Sequence, residues 1–376
     1  MNAARTALPL PHLIARAKRA LLPFALATAA LAASPAGAAP APDKASVVRG
    51  AIEGYIRPAY ADLAADAARI AADQAALCAV PSADALAKAR ADFAVLIGNF
   101  SRIEFVRFGP IMDESRIDRI LFWPDRRGVA LRQVQALLAE KDPAAVEPAA
   151  LRAKSVALQG LNALEFVLFG AGSEKLATAE GAYPCAFGAA ITANLADETA
   201  AISAGWQAPA GISGAMLEPR PDSPAYRSLD DSLQEIAGIF IHGLEATRDL
   251  RLNPALGESI EKANPKTLIY PRAGLAKASL HANVAGLEAL YDASRIAGLL
   301  PAKQSAVGAE ISAEFEKADG LFAELVVSLP DAVGNPAERP RVEEILALTH
   351  SLQRRFAEQL APALGLSAGF SSLDGD

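Results

Sequence analysis

Aromatic residues make up only 6% of this 376-residue chain, and cysteine occurs twice. A core poor in rings is built from aliphatic side chains and alanine. Long β-branched runs are also missing, while Ala, Leu, Glu, Arg and Lys dominate most long segments, so helix is the natural reading. Basic residues number 36 against 43 acidic, with no basic stripe interleaved with aromatics. That balance argues against nucleic acid as a partner. His-Glu-x-x-His does not occur, which excludes a zincin-type protease. Gly-x-Ser-x-Gly and the P-loop are absent as well. The tripeptide Trp123–Asp125 invites comparison with the acid loop of tyrosine phosphatases, but neither cysteine has an arginine six residues on.

The first residues are of a different kind. Arg16, Lys18 and Arg19 precede the apolar stretch "ALLPFALATAALAA", and small residues fill Ala36–Ala38. This is the order of a secretory leader, expected over residues 1–38. The apolar stretch is short for a bilayer of about 30 Å and is interrupted by Pro23, and no later run is long enough to span. The expected mature chain is exported to the periplasm with no integral membrane segment. It carries 32 basic and 43 acidic residues, because the leader holds four basic residues and no acidic ones. In an oxidising compartment Cys78 and Cys185 read as one disulfide, with two buried thiols as the alternative.

Apolar spacing predicts helices over 45–76, 83–108, 127–140, 149–169 and 186–205. After a proline-rich stretch, further helices are expected at 229–251, 272–298, 303–328 and 338–363. The expected fold is all-α: two antiparallel helical bundles, the first over 39–206 and the second over 229–376. The proline-rich residues 207–228 form the linker between them.

One phrase is written twice. Leu164–Gly170, "LEFVLFG", repeats Ile103–Gly109, "IEFVRFG", at five of seven positions and 61 residues apart. Each phrase is expected to end a helix, closed by a glycine at positive φ. Residues i and i+3 share a helical face, so Ser101/Glu104 and Asn162/Glu165 each form a polar pair. Both glutamates sit among Phe, Val, Ile and Leu, where a carboxylate is costly to bury unless paired or metal-bound. Two readings follow. Each Glu accepts from nearby backbone or pairs with an arginine such as Arg102 or Arg107, or the two turn to a shared interior as metal ligands.

The segment "GLNALEFVLFG" resembles the signature region of imelysin-like proteins, exported bacterial proteins with a Gly-x-His-x-x-Glu motif. Gly160, Asn162 and Glu165 take its positions, with Asn162 in place of the histidine. "IEFVRFGP", "RIDRILFWPDRRG", "YPRAG" at Tyr270–Gly274 and "GFSSLDGD" at Gly369–Asp376 resemble family landmarks in family order. The resemblance implies an all-helical two-bundle fold, a periplasmic location, a link with iron uptake and the family's label of metallopeptidase (peptidase M75). It makes Glu165, Asn162 and Glu104 candidate ligands for iron or a divalent metal. An amide is a poorer ligand than imidazole, which weighs against both metal binding and peptidase chemistry here.

A second constellation lies later. His242 and Glu245 share a helical face, with Asp249 a turn beyond, a spacing found in carboxylate metal sites of bundles. A histidine satisfied by its own surroundings is the alternative. His281 is placed where it could turn toward His242, whereas His350 reads as surface. Three functions follow. One is a non-enzymatic protein of iron acquisition that binds a metal or a metal-carrying partner among periplasmic or outer-membrane uptake proteins. The others are a metallopeptidase of the imelysin type and an interaction scaffold with a degenerate metal site.

Overall fold

Short polar side chains open several of the helices. In the computed structural model, which describes residues 42–125 and 127–367, the Asp43 carboxylate accepts from the Ser46 N–H at 2.8 Å. It starts α1, Lys44–Ala51. Ser82 accepts from Ala85 N–H at 3.2 Å, and Ser228 with Asp231 forms a capping box. These residues satisfy N–H groups that a helix start leaves without carbonyls. The expected leader and the Gly369–Asp376 landmark lie outside the described residues.

A π-helical turn over Ile52–Ile56 joins α1 to α2, Arg57–Ala79. The other principal helices are α3 (Ala83–Ile103), α4 (Val129–Glu140), α5 (Gly160–Phe169) and α6 (Ala182–Gln207). They continue with α7 (Leu229–Ala246), α8 (Ala276–Ser294), α9 (Ala306–Glu324) and α10 (Arg339–Arg354). The fold is all-α, with no strand among the described residues. No helix among them is long and apolar enough to cross a membrane.

The single helix expected over 149–169 is broken. A short helix ends at Arg152, and α5 starts afresh at Gly160. Gly160 has φ +72, and a Cβ there would lie 2.4 Å from the carbonyl oxygens of Arg119 and Ile120. Only glycine accepts both the conformation and the approach. The other expected helices match to within a few residues, except that 83–108 ends at Ile103 and that 45–76, 229–251 and 338–363 each contain or pass into a π-helical turn, at Ile52–Ile56, Thr247–Leu252 and Arg355–Leu360.

Helices α2 and α6 pack along their lengths, and Cys78 of α2 is bonded to Cys185 of α6 across a Cα separation of 5.5 Å. Helix α1 packs against α7 and α8, and α3 packs against α8. One buried apolar core therefore includes residues from both sides of the 207–228 segment. That segment carries a short helix, Ile212–Leu217, with Met216 fully buried. Its Ser213 hydroxyl donates to the Trp206 carbonyl at 2.7 Å.

The α3–α8 crossing is set by Gly286. A Cβ on Gly286 would fall 2.2 Å from the Arg102 carbonyl oxygen. Asn283, one turn earlier on the same face, can then reach the end of α3. Gly286→Ala is expected to lower stability by about 1–3 kcal/mol through overpacking. Gly320→Ala, in open space on α9, should raise it by roughly 0.5–1 kcal/mol. Urea unfolding of the two variants checks the contrast, and equal effects would contradict this account of the crossing.

Candidate functional site

The first repeated phrase ends α3 and leaves Glu104 as its C-cap, 3% exposed. A negative charge there opposes the helix dipole, so the carboxylate requires cationic or N–H partners. Arg251, in the π-helical turn after α7, donates from Nη2 to Glu104 Oε2 at 2.6 Å. Asn283 of α8 donates to Oε1 at 2.6 Å and also to the Ser101 carbonyl at 2.6 Å. Arg251 Nη1 donates to the Ser279 hydroxyl at 2.9 Å, which shares a hydrogen bond with the Ser101 hydroxyl at 2.7 Å. The Arg251 guanidinium also stands over the Trp123 ring, 5.2 Å from its centroid. The expected polar pair Ser101/Glu104 thus belongs to one buried network. Its cation is Arg251 rather than Arg102 or Arg107.

The second phrase serves differently. Glu165 lies inside α5, 2% exposed, and its Oε1 accepts the backbone N–H groups of Arg272 and Ala273 at 2.7 and 2.9 Å. Arg272 Nη1 approaches Oε2 at 3.5 Å, and its guanidinium lies over the Phe166 ring at 5.2 Å. The carboxylate pins the "YPRAG" turn, in which Tyr270 and Gly274 have φ +51 and +67. Burial pushes the Glu165 carboxyl above the ordinary glutamate range, outweighing the two N–H donors and the Arg272 charge that pull it down.

The closing glycines differ too. Gly109 has φ +69 but lies beyond the end of α3 at Ile103. Gly170 is extended, at φ −70 and ψ 171, so the expected positive φ does not occur there. A Cβ on Gly170 would lie 2.4 Å from the Phe166 carbonyl oxygen, and crowding is what selects glycine at that position.

Tyr270 links the two carboxylates. Its side chain is fully buried and its hydroxyl has no hydrogen-bond partner. Burial drives the phenol far above its ordinary value, and the charges of Glu104 and Glu165 add to the effect while Arg251 opposes it. The two phrases therefore place their acids within electrostatic reach of one phenol. Asn162, one turn before Glu165, donates to the Phe122 carbonyl at 3.0 Å, while its Oδ1 is buried and unpartnered.

These residues border a cavity of about 430 Å³. Trp123, Phe166 and Tyr270 supply aromatic side chains, Asn162 and Glu165 supply polar groups, and Lys266 and Arg272 supply cations. Asp125 also borders it, but its carboxylate caps α4 through the Val129 and Ala130 N–H groups at 2.7 and 2.8 Å. The cavity lies within the size range of small-molecule sites.

The second expected constellation stands apart from this cavity. His242 Nδ1 and Glu245 Oε2 of α7 are 3.6 Å apart, as their spacing predicts. His281 is not turned toward them: it pairs with Asp319 at 2.5 Å and stacks on Phe322. Among the described residues, no three His, Cys, Asp or Glu side chains gather as a metal would require. Glu104 and Glu165 already hold short bonds to donors, which would have to be given up before either bound a metal. The donor set at Asn162 and Glu165 does not fit a bound metal ion. Sequence reasoning missed Arg251, Asn283 and Lys266; their one signal was that two buried acids must find donors somewhere.

Glu165 also fixes a pH dependence. Its folded value lies above the ordinary 4.5, so between the two the folded chain holds a proton that the unfolded chain has lost. This contribution weakens stability as pH rises through that window. Glu165→Gln keeps an oxygen for both N–H groups and removes the titration. Unfolding measured from pH 4 to 7 should show a flatter fall in the variant. Parallel profiles would contradict the assignment.

No curated protein matches this chain. Among solved structures, an imelysin-like protein from Psychrobacter arcticum 273-4 superposes with a TM-score of 0.73 at 23% identity, covering 87% of this chain and 97% of that one. A putative iron-regulated protein A precursor from Parabacteroides distasonis ATCC 8503 gives 0.66 at 12% identity, covering 85% and 95%. At such identities the likeness attests the fold. The imelysin family model, Peptidase_M75, matches residues 56–355, which span α2 to α10 and hold both repeated phrases, and the chain belongs to the imelysin family.

Proposed function

We propose that this imelysin-family chain acts in the periplasm, without peptidase chemistry, as a binding protein of iron acquisition. One observation carries the reading. The cavity at the motif helix is bordered by Asn162 and Tyr270, whose buried amide oxygen and phenol lack partners, while its acid is held by backbone N–H groups. Such a site offers recognition groups. A hydrolytic metal site needs at least a three-ligand set with an open position and a general base. The leader-like start and the iron-regulated fold neighbour support the cellular role. Iron would then reach the protein carried by another molecule, or by a periplasmic or outer-membrane uptake partner, rather than as a bare ion on Asn162 and Glu165.

A strain lacking the chain is expected to grow more slowly than its parent when iron is limiting and equally when iron is supplied. The purified protein, given zinc and an unfolded protein substrate, is expected to release no fragments above buffer. Equal growth under iron limitation would overturn the iron role. Hydrolysis that disappears in Glu165→Gln would overturn the non-enzymatic reading.

A further inference from the structure

We infer that the cavity beside Asn162 and Glu165 binds a small aromatic carboxylate carrying a hydroxyl next to its acid group. The inference rests on the reading above that this cavity is a binding site. It begins with charge. Both carboxylates bordering the cavity are committed to main-chain donors, Glu165 to the Arg272 and Ala273 N–H groups and Asp125 to those of Val129 and Ala130. Lys266, exposed at the cavity, holds no ion pair among the described residues. Arg272 brings a second cation, stacked on Phe166 and in only long contact with Glu165. The groups left for a ligand's charge are cationic, so the complementary ligand is an anion.

Shape and hydrogen bonding narrow the class. Trp123, Phe166 and Tyr270 are the aromatic residues bordering the cavity, a lining that favours a ring as the ligand's body. The buried Asn162 Oδ1 lacks a donor. A buried acceptor without a partner costs free energy, which a ligand O–H reaching it would recover. The Tyr270 hydroxyl is likewise unpartnered in a side chain only 1% exposed, and it can donate to the ligand's oxygens or accept from its hydroxyl. A carboxylate for Lys266 and Arg272, a ring for the aromatic lining and an O–H for Asn162 are together the features of a 2-hydroxybenzoate-like group. The volume admits a ligand larger than that single ring.

Calorimetric titration of the whole mature chain with 2-hydroxybenzoate, benzoate and benzylamine tests the inference. One 2-hydroxybenzoate should bind per chain with a Kd below about 1 mM, more tightly than benzoate, and benzylamine should not bind. Lys266→Ala, at an exposed position, should weaken 2-hydroxybenzoate by roughly tenfold, as expected for loss of a charge-assisted hydrogen bond. Asn162→Leu should remove the preference over benzoate, with circular dichroism confirming that both variants fold. Absence of 2-hydroxybenzoate binding, equal binding of the amine, or no effect of Lys266→Ala would overturn it. The ferric complex of 2-hydroxybenzoate, titrated alongside, separates the two proposals. Binding of the free acid but not of the complex would sustain this inference and count against the iron role. Failure of both, beside the growth defect under iron limitation, would overturn this inference alone.

Discussion

The buried pair of Glu104 and Arg251, 2.6 Å apart and each under 10% exposed, is the contact on which the rest of the arrangement depends. It joins the end of α3 to the turn after α7, on opposite sides of the proline-rich 207–228 segment. Asn283 and Ser279 extend it to α8. A surface pair such as Arg354–Glu358 contributes about 0–1 kcal/mol. Removing one member of a buried pair costs about 3–5 kcal/mol, because the other charge is left without a partner in a medium that cannot solvate it. Arg251 also stands over Trp123. The same cation that neutralises the core acid therefore helps fix a wall of the cavity.

The repeated phrase solves one physical problem in two ways. Both copies bury an acid among Phe and Val side chains, and each acid needs donors from elsewhere in the fold. Glu104 sits at a helix C-terminus, where the dipole is unfavourable, and takes a guanidinium and an amide. Glu165 sits within α5 and takes two main-chain N–H groups, which lets it hold the Tyr270–Gly274 turn in a backbone conformation unusual for tyrosine. Tyr270 then lies within electrostatic reach of both acids and borders the cavity, its hydroxyl unpartnered. Stability and recognition meet at that residue.

Helix content was legible because the apolar spacing of α2, α3, α7 and α10 is regular and the caps of α3 and α7, Ser82 and Ser228, are local. Tyr60, Leu63, Ala67 and Ile70, for example, recur at helical spacing and are all buried. The pairing of Cys78 with Cys185 was legible because two cysteines allow a single intrachain bond. The break at Gly160 was not, since it depends on the Arg119 and Ile120 carbonyls some forty residues away. Glu104 and Glu165 were legible as costly groups, but their partners were not. Arg251 lies 147 residues from Glu104 and Arg272 107 residues from Glu165, and nothing in the local pattern selects them over Arg102 or Arg107. Lys266 was overlooked for a related reason: a lysine in a loop reads as ordinary surface until a cavity is seen beside it.

The most direct measurement is a double-mutant cycle on the central pair, using Glu104→Gln, Arg251→Met and the combined variant in equilibrium urea unfolding. The account predicts that each single change costs about 3–5 kcal/mol, with the double variant recovering a coupling of roughly 2–3 kcal/mol because neither charge is then stranded. Additive losses, agreeing within about 0.5 kcal/mol, would show that the two residues act independently and that the fold does not depend on their contact.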